Sequence, residues 1–182
     1  MNTTTIVIIV AAVVVAGGLA VMARRRRSAR LQRQFGPEYE HTVSEAGDRR
    51  SDEARLRERE KRHEELTLRP LPAESRARYQ KEWNSVQERF VDTPGSAVHD
   101  ADQLTTQIMR EVGYPMDNFE QRAADISVEH PDIVEHYRAA HAVVVAHERG
   151  QAETEDLRRA VTSYRALVDS LLEDATSSQP NR

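Results

Sequence analysis

The sequence predicts an all-α protein with an N-terminal transmembrane helix, a polar helical spacer and a small bundle of four to five helices. Three observations lead there. An uncharged apolar run opens the chain. Beyond residue 72 the apolar residues recur at helical intervals of three and four. No segment sustains the two-residue alternation of a half-buried strand. No internal repeat recurs at a fixed period.

Ile6 to Ala23 (IVIIVAAVVVAGGLAVMA) carries no charge over 18 residues, and ten of them are Ile, Val or Leu. At ~1.5 Å per residue the run is about 27 Å long, close to the ~30 Å hydrocarbon core of a bilayer. Its strongly apolar positions contribute ~3–6 kcal/mol to insertion. Val21-Met22-Ala23 has the small-residue form of a signal cleavage site, so an exported protein with a cleaved signal is an alternative. However, Met1 to Thr5 lacks the basic residues of a signal peptide. Arg24, Arg25, Arg26 and Arg27 follow the run directly, and arginine stays on the cytoplasmic side. The expected topology is single-pass in the cell membrane, with residues 1–5 outside, a spanning helix over 6–23, and a basic juxtamembrane segment over 24–34. These four arginines face anionic headgroups. Ala12, Ala16 and Ala20 form a small-residue ridge that permits a homodimer.

The spacer is expected over residues 35–69. Pro37 at a first-turn position and Gly47 as a stop mark a short helix. Ser51 to Leu66 (SDEARLREREKRHEEL) has only Ala54, Leu56 and Leu66 as apolar residues. Glu53–Arg57 and Glu58–Arg62 form i,i+4 pairs. A helix this polar reads as a solvated spacer or as half of a coiled-coil pairing, separable from the packed helices beyond it. Arg69-Pro70-Leu71-Pro72 ends it, and the bundle is expected over 70–174.

In 73–91 the stripe is Tyr79, Trp83, Val86 and Phe90. After the turn Asp92-Thr93-Pro94-Gly95, the stripe of 96–112 is Ala97, Ala101, Leu104, Ile108 and Val112, stopped by Gly113. Asp117 to Glu120 reads as a capping box with Asp117 as N-cap, opening a short helix that ends before His130-Pro131. Pro131 to Arg149 directs Val134, Tyr137, His141, Val144 and Val145 inward. Thr154 caps a last helix striped by Leu157, Val161, Tyr164, Val168 and Leu171, and a disordered tail is expected over 175–182.

Composition excludes several functions. The chain has no cysteine, which removes disulfides, iron–sulfur clusters and thiolate zinc sites. After Arg33 there are 20 basic and 30 acidic residues, and that acidic body argues against nucleic-acid binding. Arginine outnumbers lysine 24 to 2, as in proteins of high-GC bacteria. The seven histidines raise the question of metal. Only Asp132 and His136 stand at the i,i+4 spacing that puts two ligands on one helical face, and a zinc site needs three or four. His141 reads as a core histidine, with His136 and His147 on the surface. His99-Asp100 spells the HD dipeptide of helical metal-dependent hydrolases, an alternative enzyme reading. Its upstream histidines, His41 and His63, precede the expected bundle. Asp125 and Asp132 read as surface partners of Arg122 or Arg138. No phosphate-binding glycine loop or nucleophile elbow is present. No catalytic, cofactor-binding or metal-ligating residue is assigned, and no cofactor is expected.

The segments FGPEYEHTV, AGDRR, LRPLP, VQERFVDTPGSAVHDADQL, REVGYP and FEQRAADISVEHPDIVEHYRAAH together resemble a group of small single-pass membrane proteins of high-GC bacteria. The likeness runs from about Phe35 to Leu172. It implies no activity and no catalytic residue, but it directs attention to the GYP loop at Gly113 and the ISVEHPD loop at Ile126. The expected function is a membrane-anchored cytoplasmic interaction or scaffold module with a protein partner, rather than an enzyme.

Overall fold

Helices make up all the regular structure among the described residues of the computed structural model, which are 16, 18, 19, 21–23, 25, 26, 28–40 and 49–177. No strand occurs among them, in agreement with the all-α expectation. The anchor expected over 6–23 lies largely outside the described residues, as does the stretch 1–5. Among the described residues no helix is long and apolar enough to cross a membrane. Residues 16, 18, 19 and 21–23 are helical and exposed.

The chain divides into two compact units between Arg57 and Glu58, within the segment expected to be spacer. In the first unit, α1 (28–40) and the start of α2 (Arg49–Glu64) are helical. Gly36 has φ +44° and precedes Pro37, so α1 changes direction there. The turn lets Tyr39 come back to Ser28, with their hydroxyls 3.4 Å apart, where a straight helix would separate the two residues by ~16 Å along its axis. Both hydroxyls donate to Glu53 Oε1, at 2.6 Å from Ser28 and 3.1 Å from Tyr39, which ties α1 to α2. Leu31, Phe35, Tyr39 and Leu56 are buried. Most of the short helix expected after Pro37 lies outside the described residues, since 41–48 are not among them.

The second unit is a bundle of α3 (Ala73–Phe90), α4 (Pro94–Val112), α5 (Phe119–Glu129), α6 (Val134–Glu148) and α7 (Thr154–Ser177), joined by the last turns of α2. α4 is central and packs on α3, α6 and α7; α6 also packs on α7 and α5. The predicted stripes form the core. Tyr79, Trp83, Val86, Ala97, Ala101, Leu104 and Ile108 are buried, as are Leu157, Val161, Tyr164, Val168 and Leu171. Thr105 and Ser127 enter the interior by donating to carbonyls of their own helices, those of Ala101 and Ala124.

Several details differ from the sequence reading. In α6 the core position is Ala140, and His141 sits at its margin. Asn118, not Asp117, caps α5 by accepting from the Gln121 amide at 2.9 Å. α4 starts at Pro94, which removes one unpaired amide from its first turn. α7 begins at Thr154 itself, where the Glu153 amide donates to Asp156, and it extends through Ser177, into the expected tail. The Leu66–Leu71 linker is part of the bundle. Leu71 is buried, Leu66 and Leu68 pack against the core, and the Arg69 amide donates to the Val112 carbonyl at 2.7 Å.

Gly113 closes α4 with φ +111° in a Schellman arrangement. Tyr114 N–H donates to Met109 O at 3.0 Å and Gly113 N–H to Arg110 O at 3.2 Å. A β-carbon at this position would lie 2.8 Å from the Thr67 carbonyl oxygen, which is backbone and cannot rotate away. Gly113→Ala is therefore expected to lose about 2–3 kcal/mol in chemical denaturation, from positive-φ strain plus the clash. A loss under ~0.5 kcal/mol would show that the linker does not press against this turn.

Candidate functional site

The GYP turn and the end of α5 meet at one carboxylate. Tyr114 Oη donates to Glu129 Oε2 at 2.8 Å, and His63 Nε2 lies 3.2 Å from Glu129 Oε1. The adjacent His130 is buried. Its Nδ1 is 2.9 Å from Ser170 Oγ on α7, and its Nε2 is 4.0 Å from Glu129 Oε2. Four pieces of chain far apart in sequence thus converge: the end of α2, the α4–α5 loop, the end of α5, and α7. Local backbone rules set the positions. The Schellman turn aims Tyr114, and α5 ends at His130, whose φ of −123° and ψ of 57° leave the helical region.

The His63 contact and the Tyr114 bond, reinforced by the nearby His130, hold Glu129 below its ordinary value of 4.5 against the opposing effect of burial. A carboxylate depressed in this way stabilises the fold above pH ~4.5, and the contribution disappears as pH falls through its lower folded value. The thermal midpoint is expected to fall on acidification from pH 5 to pH 3, and Glu129→Gln should flatten part of that fall. An unchanged slope in the variant would show that the carboxylate is not ionised and paired in this way.

One helical turn away, Asp125 is fully buried. Its Oδ1 accepts from Arg62 Nε at 3.0 Å and from Gln121 Nε2 at 2.9 Å, while its Oδ2 has no partner among the described residues. Arg62 also donates to Asp117 Oδ2 at 2.7 Å. Five consecutive residues of α5, Ala123 to Ser127, are buried. A helix covered on every side has neighbours on more than its core face. The sequence reading placed Asp125 on the surface beside Arg122 or Arg138, and placed Arg62 and His63 on a solvated spacer. The structure corrects both, because the end of α2 docks on α5 through these charges.

A second polar knot lies among α4, α5, α6 and α7. Tyr164 Oη donates to Asp102 Oδ1 at 2.7 Å, and His141 Nδ1 lies 3.5 Å from the same oxygen. The His141 ring stacks on Phe119 at 3.8 Å between centroids. Burial first, then the Asp102 charge, pushes the Tyr164 phenol far up, so it remains a donor.

Ser170, His130 and Glu129 follow the order nucleophile, base, acid. However, Ser170 sits within α7, where backbone amides serve the helix and leave no donor pair for an oxyanion. The 4.0 Å gap from His130 to Glu129 is also too long for an orienting hydrogen bond. His99 and Asp100 turn to separate partners, His99 to Gln103 at 2.8 Å and Asp100 to Arg89 at 2.8 Å. His136 and Asp132 are exposed on α6 and its approach. Among the described residues no three histidine or acidic side chains converge to hold a metal. The described grooves, about 320 Å³ between α3 and α7 and about 200 Å³ between α3 and α4, do not include the Glu129 or Asp125 clusters.

Reasoning from sequence missed Asp125 as an interior residue. The signal was present in AADIS, an acid set among small and apolar residues, which requires a cationic partner once the helix is buried. Comparison of the chain with family models, with curated proteins and with solved structures gives no match.

Proposed function

We propose that this chain is a membrane-anchored helical interaction module, held by a single span over Ile6–Ala23 with the bundle on the cytoplasmic side. The observation that carries the reading is the charge-free run followed at once by Arg24-Arg25-Arg26-Arg27. Anionic headgroups are the ligand of those arginines, and a protein partner is the ligand of the bundle, with the alanine ridge permitting a second copy in the membrane. The bundle supports this role because Glu129 and Asp102 are engaged in joining its own elements. Glu129 joins the end of α2 to the α4–α5 turn, and Asp102 takes the Tyr164 hydroxyl of α7.

Two fusions after Arg182 test the orientation. A reporter active only in the cytoplasm is expected to work, and one active only after export to stay silent. The reverse pattern would overturn the topology. Neutralising Arg24–Arg27 is expected to weaken the bias, since the arginines set it.

A further inference from the structure

At the end of α2 the bundle holds a segment of its own chain by charge. No apolar side chain lies between Leu56 and Leu66. Instead Arg62 donates to Asp125 Oδ1 at 3.0 Å and to Asp117 Oδ2 at 2.7 Å, and His63 Nε2 lies 3.2 Å from Glu129 Oε1. The three carboxylates belong to α5 and the loop before it, and they form one acidic seat within the second unit. The fit is incomplete. Asp125 Oδ2 and His63 Nδ1 are buried and have no hydrogen-bond partner among the described residues. Arg62 divides its fork between two acids and gives Asp125 one bond, whereas an end-on guanidinium gives a carboxylate two parallel bonds. A buried acceptor left unpaired costs free energy that a better-placed cation recovers. Asp117 and Glu129 stay 55% and 44% exposed with α2 in place, so an incoming cation meets them before the seat is vacated.

We infer that the end of α2 is an internal stand-in, and that the seat of Asp117, Asp125 and Glu129 receives an arginine-bearing helical segment of a protein partner in its place. This names the surface through which the proposed interaction module meets its partner, and it rests on that reading. The segment is helical because the present occupant is a helix, and cationic because the seat is acidic. A second copy of the chain is the poorer occupant. Its α2 would bring the same Arg62 and His63, and would leave the same two atoms unpaired. Lipid headgroups and nucleic acids present phosphate, which three carboxylates repel. Exchange requires no loss of apolar contact from residues 57–65, since none of them is apolar, and the partner's ion pairs replace those given up. The docked α2 is therefore autoinhibitory, lowering the partner's apparent affinity by the fraction of chains whose seat is open.

A fluorescent peptide of residues 49–66 is the probe, and the full chain in detergent is the receptor. Arg62→Ala with His63→Ala removes the groups that fill the seat, and this variant is expected to bind the peptide on the order of ten-fold more tightly than the native chain. Adding Asp125→Asn, which keeps the shape and removes the charge, should abolish the gain. Equal affinity of native chain and double variant, or a gain that survives Asp125→Asn, overturns the inference. Because the double variant loses bundle stability, a second measurement keeps the native contacts. The chain has no cysteine, so Lys61→Cys carries a single spin label on the docked end of α2. Peptide above the roughly millimolar effective concentration of a tethered segment should mobilise that label. A label that stays immobile counts against exchange as heavily as equal affinities do. Dimers of the native chain that vanish with Asp125→Asn would make a second copy the occupant, contrary to the inference. Release of the chain from membranes by alkaline carbonate refutes the anchor and leaves the peptide result standing. Absence of peptide binding in a chain that carbonate retains refutes the seat alone.

Discussion

Arg62→Ala is expected to destabilise the bundle by about 2–4 kcal/mol. Asp125 is fully buried, and the substitution leaves it only the Gln121 amide. Removing one partner of a fully buried ion pair costs ~3–5 kcal/mol, because the remaining charge stays out of water without compensation. The Arg62 side chain is 37% exposed, so water shares the site and the lower figure applies. A rescue separates charge from packing. Arg62→Met combined with Asp125→Leu should recover most of the loss, since replacing both partners by apolar groups of similar size is often neutral or better. Urea denaturation of both variants is the measurement. If Arg62→Ala costs less than ~0.5 kcal/mol, the end of α2 is not docked on α5, and the separable spacer expected from sequence is restored. In the docked case, deleting residues 34–66 removes Arg62 and His63 with the spacer and weakens cooperative unfolding.

Trp83→Ala is expected to cost about 3–5 kcal/mol, the range for large aromatic truncations in cores. Trp83 is 1% exposed on α3, in one stripe with Tyr79 and Val86. Its indole Nε1 has no hydrogen-bond partner among the described residues, so Trp83→Phe loses volume but no bond, and it also removes a buried unsatisfied donor. Trp83→Phe is accordingly expected to cost only about 1–2 kcal/mol. Circular dichroism must follow both unfolding curves, because Trp83 is the only tryptophan. Equal costs for Phe and Ala would show that the indole N–H bonds to something, an ordered water for example.

The bundle was legible because its helices are amphipathic and well punctuated. Tyr79–Trp83–Val86 and Leu157–Val161–Tyr164 face the core as their spacing requires, and Gly113 stops α4 where a left-handed residue is needed. His141 was misplaced by a single step of the helix, since Ala140 and His141 differ by about 100° and the smaller residue takes the core. The docking of α2 was not legible. A run such as REREKRHEEL is equally compatible with solvent and with a charged groove, and the choice depends on Asp125 and Glu129, which lie far away in sequence. Burial of Asp125 comes from tertiary packing around α5, and helical periodicity carries no record of that. The Glu129 cluster was legible only as two loops, GYP and ISVEHPD. Their meeting through the Tyr114 hydroxyl is a product of the turn at Gly113.

The anchor is the central claim, and one measurement tests it most directly. Membranes from cells expressing the chain are extracted with alkaline carbonate, and the intact mass of the retained protein is determined. The expected result is a chain in the pellet whose mass includes Ile6–Ala23. Complete release into the supernatant, or a mature chain beginning at Arg24, would contradict it.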